Sequence, residues 1–217
     1  VSAREEILAS IRRATDDVPQ GERPEDVAVE RGYRHADDSS RAEIISRFAE
    51  TVAEYRATVH RVEEGGLRDE IAEALARRGV QRLAVPDDLP SDWLPEGIEA
   101  LRDRAGSPLC TDSLDSSDGV LTGCALGIAQ TGTIVLDAGA LQGRRVLTLL
   151  PDYHLCVVRE EQIYGLVPEA IAALESVVRE TGRAITFVSG PSATSDIELE
   201  RVEGVHGPRT LEVLIAG

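Results

Sequence analysis

Three short stretches in the second half of this sequence carry side chains that could hold or transform a small anion. Gln130-Thr131-Gly132-Thr133 joins two apolar runs. Its glycine frees the backbone to bend, while an amide and two hydroxyls offer donors without bulk; the same four residues also read as a plain hairpin turn. The run Ser189-Gly190-Pro191-Ser192-Ala193-Thr194-Ser195-Asp196-Ile197-Glu198 follows a strand pattern and is expected to open a helix, whose unpaired N–H groups would attract an anion. Ser195 and Glu198 have capping-box spacing, which accounts for one hydroxyl and leaves Ser189, Ser192 and Thr194 beside Gly190 for a ligand. In Gly204-Val205-His206-Gly207-Pro208-Arg209 an imidazole that titrates near neutrality stands close to a guanidinium suited to carboxylate or phosphate. His206 with Asp196 or Glu198 as its orienting carboxylate is the candidate acid–base set, against the plainer reading of a His hydrogen-bonded in a tight loop. Arg144-Arg145 is either a further anion clamp or a solvated basic pair. His154, entering a buried strand, reads as a structural residue.

The elements that must position these groups follow from periodicity. Residues 3–14 repeat Ile7, Leu8, Ile11 and Ala14 at helical spacing, and residues 16–40 form a charged, Pro-containing connector without period. This pair is expected to be an N-terminal helical arm over 1–40, with the main domain over 41–217. A helix is expected from Arg41 (face Ile44, Ile45, Phe48, Val52, Tyr55), a strand over 58–62, and a helix through Leu67, Ile71, Ala74 and Leu75 that stops at Gly79. A strand follows at 83–85. Residues 87–118 are expected to be loop with short helical turns, pinned by Trp93 and Leu94. Buried strands are expected at 125–129, 133–137 and 155–158 and further strands at 184–188 and 211–215, with a helix over 167–181 whose face is Val167, Ile171, Leu174 and Val178. The alternation implies an α/β fold.

Composition narrows the chemistry. The chain has 217 residues, 42% hydrophobic and 29% charged, with no apolar run long enough to span a bilayer, so no membrane insertion is expected. The N-terminal residues lack the unbroken apolar stretch of a secretory signal, and the expected location is the cytoplasm. With 39 acidic against 23 basic side chains the net charge is −16, which disfavours nucleic acid as a partner. All basic residues are Arg, which removes the phosphate-binding lysine of a P-loop and any Schiff-base lysine. The three cysteines, Cys110, Cys124 and Cys156, lack metal-cluster spacing, so no metal is expected in this chain.

Taken in order, 127–136, Leu149-Leu150-Pro151-Asp152-Tyr153-His154, 189–198 and Gly204-Val205-His206-Gly207-Pro208 resemble the lactate utilization protein C family. The resemblance implies a LUD domain with a NagB/RpiA/CoA-transferase-like open sheet flanked by helices, and a shared site around Gln130, Ser192, Asp196 and His206. It also implies a place in a system oxidising L-lactate to pyruvate, in which iron–sulfur protein components are partners and this chain binds a small anionic ligand or a partner. The ligand-binding set is then Gln130, Thr131, Gly132, Thr133, Gly190, Ser192, Thr194, Ser195, Arg144 and Arg209, with the cofactor left open. In the family that the chain resembles many members carry Glu where this chain has Gln130, and Gln cannot act as the carboxylate nucleophile of coenzyme A transferases. The alternative is an independent enzyme, isomerase- or transferase-like, acting on a sugar-phosphate or acyl-thioester.

Overall fold

The computed structural model describes every residue except 1, 20, 24, 25, 196–200, 204 and 205, and excludes the side chains of 64, 193–195 and 201–203. The chain forms two compact units, Val1–Arg34 and His35–Gly217. In the first, helix α1 (Ala3–Ala14) starts at a capping box in which Ser2 and Glu5 bond each other's backbone N–H, and none of its residues is buried.

The second unit is built on a six-stranded parallel sheet. Its strands are β1 (Thr58–Val62), β2 (Arg82–Pro86), β3 (Glu99–Asp103), β4 (Gly119–Thr122), β7 (Tyr153–Arg159) and β12 (Thr210–Ala216), in the order β1-β12-β7-β4-β2-β3. Both faces are covered, which is why the central strands read as nearly continuous apolar runs. Leu211, Val213 and Ile215 of β12 pack with Ile44, Ile45, Phe48 and Val52 of helix α2 (Arg41–Glu54). Leu214 and Ala216 turn to the other face and meet Leu67, Ile71 and Leu75 of helix α3 (Leu67–Arg77).

A second sheet of four strands has the order β8-β5-β6-β9, from β5 (Leu126–Ile128), β6 (Thr133–Leu136), β8 (Ile163–Tyr164) and β9 (Thr186–Val188). The helix α5 (Val167–Thr181) covers it through Ala170 and Leu174, packed on Leu126, Ile128 and Val135. Gly127 stands at the centre of β5 for a packing reason: a Cβ there would stand 2.8 Å from Cζ of Phe48.

Three expectations need correction. Residues 87–118 are not only loop: β3 lies within them, beside α4 (Thr111–Asp115). As an edge strand it is only half-buried and shows no clean apolar run. The buried face of α5 is Ala170 and Leu174, whereas Ile171 and Val178 are 49% and 48% exposed, because the small sheet touches one side of the helix only. Finally, Ser195 does not open a helix. Ala193–Ser195 is a strand, β10, paired antiparallel with β11 (Arg201–Glu203) in the register Ser195↔Arg201, so the chain after Ser192 is extended.

Candidate functional site

A cavity of about 210 Å³ opens between the outer strand of the small sheet and the starts of β7 and β12. One wall is residues 186–192, comprising β9 and its exit loop. The opposite wall is His154 and Leu211, the second residues of β7 and β12, with the turn His206-Gly207-Pro208. The helical turn Arg145–Thr148 supplies the remainder.

The loops are tied to each other by their own polar atoms. The Ser192 N–H donates to the Pro208 carbonyl at 2.8 Å, and Ser192 Oγ accepts the N–H of His206 at 2.9 Å. Ser189 Oγ is 2.8 Å from Thr133 Oγ1, which is itself 2.7 Å from Thr131 Oγ1. Gly190, at φ 79°, lets this loop pass over the end of α2, where a Cβ would come within 2.5 Å of Tyr55 Cβ. At the floor His154, 2% exposed, places Nε2 at 2.8 Å from Thr122 Oγ1. Phe187, 50% exposed, stands at the mouth.

Arg145 decides the electrostatics. Its Nη1 donates to Thr148 Oγ1 at 2.9 Å, no carboxylate pairs with it among the described residues, and burial pushes its guanidinium below the usual value. The described lining holds one guanidinium, two imidazoles and several hydroxyls, without a carboxylate or a thiol. A half-buried cation without a counter-ion is costly, and an incoming carboxylate or phosphate would relieve that cost.

Its neighbour is placed differently. Arg144 turns to the nearly buried Asp103, bonding Oδ2 through Nε at 2.8 Å and Oδ1 through Nη2 at 2.6 Å. Hydrogen bonding from Arg144 holds the Asp103 carboxyl below the ordinary range, and the Leu109 N–H adds to it against the cost of burial. Arg209 is paired with Asp152 at 2.7 Å at the surface.

Of the residues singled out in the sequence, Arg145, Ser189, Gly190, Ser192 and His206 line the cavity together. The segment 130–133 lies behind it. Gln130 Oε1 accepts the N–H of Val167 at 3.2 Å, at the start of α5, and Gly132 (φ 57°) is pressed against the backbone of Thr51. Thr133 reaches the cavity through Ser189. Thr194 and Ser195 belong to β10, with side chains outside the description, and Asp196 and Glu198 lie outside the described residues. Sequence reading passed over Thr148 and Phe187 and took His154 as purely structural; it is hydrogen-bonded in the core and lines the cavity as well. The signal for Arg145 was there in the Arg pair, but nothing in the order of residues told which member would be neutralised.

The α/β unit that carries this cavity matches a known domain. The LUD domain matches residues 45–216, and the chain belongs to the LUD-domain, lactate utilization protein C family. It is 47% identical over 215 residues to lactate utilization protein C of Deinococcus radiodurans, covering 99% of this chain and 96% of that protein. An uncharacterized protein of Neisseria meningitidis is 28% identical over 225 residues, covering 99% of this chain and 93% of its own. The crystal structure of a DUF162 family protein from Deinococcus radiodurans superimposes with a TM-score of 0.72 at 44% identity, covering 82% of this chain and 99% of that one. Among the described residues no helix is long and apolar enough to cross a membrane.

Proposed function

We propose that this chain is a cytoplasmic component of a lactate-oxidising system that binds a small carboxylate in the cavity beside Arg145, in support of iron–sulfur partner proteins that carry the electrons. The observation behind this reading is the Arg145 guanidinium: half-buried, without a carboxylate partner among the described residues, and facing hydroxyls and imidazoles. Such a site needs no nucleophile of its own. Arg145 would take the carboxylate, and the hydroxyls of Thr148, Ser189 and Ser192 with His206 would meet the ligand's other oxygen. Kinship with NagB/RpiA/CoA-transferase-like folds belongs to the same proposal and is supported by the parallel sheet covered by helices on both faces.

Reconstitution tests the reading. The purified chain alone should leave L-lactate unoxidised, and adding it to its two iron–sulfur partners should restore oxidation; a pair fully active without it would contradict the proposal. Two imidazoles in one cavity, His154 and His206, favour a second reading as an independent isomerase- or transferase-like enzyme on a sugar-phosphate or acyl-thioester. In that case His206→Ala would abolish turnover of such a substrate with the fold intact.

A further inference from the structure

The cavity runs along the open edge of a sheet. Strand β9 ends the order β8-β5-β6-β9 and pairs with β6 in the register Ile134↔Val188, Val135↔Phe187 and Leu136↔Thr186. Side chains alternate along a strand, so Thr186 and Val188 share one face and Phe187 takes the other. All three line the cavity, which therefore follows the edge of β9 and not one of its faces. Alternate residues of an edge strand turn their backbone N–H and C=O away from the neighbouring strand. Among the described residues no backbone hydrogen bond reaches 186–188 from beyond β6.

We propose that this edge is a docking groove for the C-terminal residues of a partner polypeptide, which add a strand antiparallel to β9 and place their terminal carboxylate on Arg145. The inference rests on the carboxylate reading of Arg145 given above and adds to it a macromolecular partner.

A free C-terminus brings what both walls of the groove lack. Its carboxylate matches a guanidinium that has no acidic partner among the described residues, and its backbone supplies donors and acceptors to the open strand. Direction follows from position. Arg145 and Thr186 both line the cavity and a smaller recess that opens on it, so the guanidinium stands beside the first residue of β9. A chain ending there runs back past Phe187 and Val188 toward the Ser189 loop, antiparallel to β9. Phe187 sets the side-chain preference. It is 50% exposed, and residues directly opposite in an antiparallel pair share a face, so the next-to-last residue of the ligand lies over its ring. A large apolar side chain at that position takes the ring out of water.

Calorimetric titration of the full chain tests this with L-lactate and an acetylated pentapeptide of alanine carrying leucine next to last. The free acid should bind at least about tenfold more tightly than its C-terminal amide, one charge-assisted bond being lost, and L-lactate should displace it. Two further peptides carry a backbone N-methyl group, one on the leucine and one on the alanine before it. Because N–H groups alternate between the two sides of a strand, one of the pair should bind about tenfold more weakly and the other should hold. Phe187→Ala should weaken the leucine peptide about fivefold and leave an all-alanine peptide unchanged. Equal affinity of acid and amide, an equal response to the two N-methyl groups, or unchanged binding of the leucine peptide by Phe187→Ala overturns the groove. Binding of L-lactate without the peptide also overturns it and leaves the small-acid site standing. Binding of neither overturns both.

Discussion

The guanidinium of Arg144 grips the carboxylate of Asp103 with two parallel bonds, at 2.8 and 2.6 Å, on a side chain that is itself 2% exposed. The pair joins the turn before β7 to the end of edge strand β3, and it leaves Arg145 as the cation facing the cavity. Arg144→Ala would strand Asp103 with only the Leu109 N–H among those bonds. The expected cost is about 1–3 kcal/mol in denaturant unfolding, the usual penalty for a buried polar group losing its partner.

Acid should unfold the protein through the same carboxylate. Arg144 holds Asp103 below its ordinary value of 3.8 in the folded state, so on acidification the unfolded chain takes up the proton first. The stabilisation is complete above the unfolded value and drains away as pH falls through the folded one. Glu212 behaves alike: burial alone would raise it, but bonds from Arg77, Tyr153 and Arg78 outweigh burial and hold it low. Urea midpoints should be flat from about pH 7 to 5 and drop steeply below about 4, with a shallower drop in Asp103→Asn.

Gln130 anchors a helix. Its Oε1 takes the Val167 N–H at the first turn of α5, so Gln130→Ala should cost about 1 kcal/mol, the scale of a lost helix cap. Carboxylate affinity should not change. A loss of binding larger than the loss of stability would place this residue in the cavity after all.

Gly190 is a packing point beneath the cavity wall. A methyl group there would meet Tyr55 Cβ at 2.5 Å and its carbonyl oxygen at 2.7 Å, on a backbone at φ 79°. Gly190→Ala should therefore destabilise by about 1–3 kcal/mol, the usual cost of overpacking, and weaken anion binding as the loop moves off α2. Thermal unfolding and titration of one preparation measure both effects.

The fold was legible where burial is one-sided or complete. Val167–Thr181 announced itself by apolar spacing and the left-handed Gly182 at its end, and β7 and β12 by mostly apolar runs, Glu212 being the charged exception in β12. Legibility failed where neighbours far along the chain decide. Edge strand β3 owes its conformation to pairing with β2, and the extended chain after Ser192 to pairing with β11, neither of which leaves a local period. The cavity shows the same division. Glycines and hydroxyls at Gly190 and Ser192 stood out by type, whereas the difference between Arg144 and Arg145 depends on Asp103, 41 residues away.

The central claim is that Arg145 receives the carboxylate, and calorimetric titration of L-lactate into the wild type, Arg145→Ala and Arg144→Ala tests it most directly. Loss of one charge-assisted bond corresponds to at least about a tenfold fall in affinity. That fall is expected in Arg145→Ala, with affinity close to wild type in Arg144→Ala; unchanged binding in Arg145→Ala, or no binding by the wild type, would contradict the account.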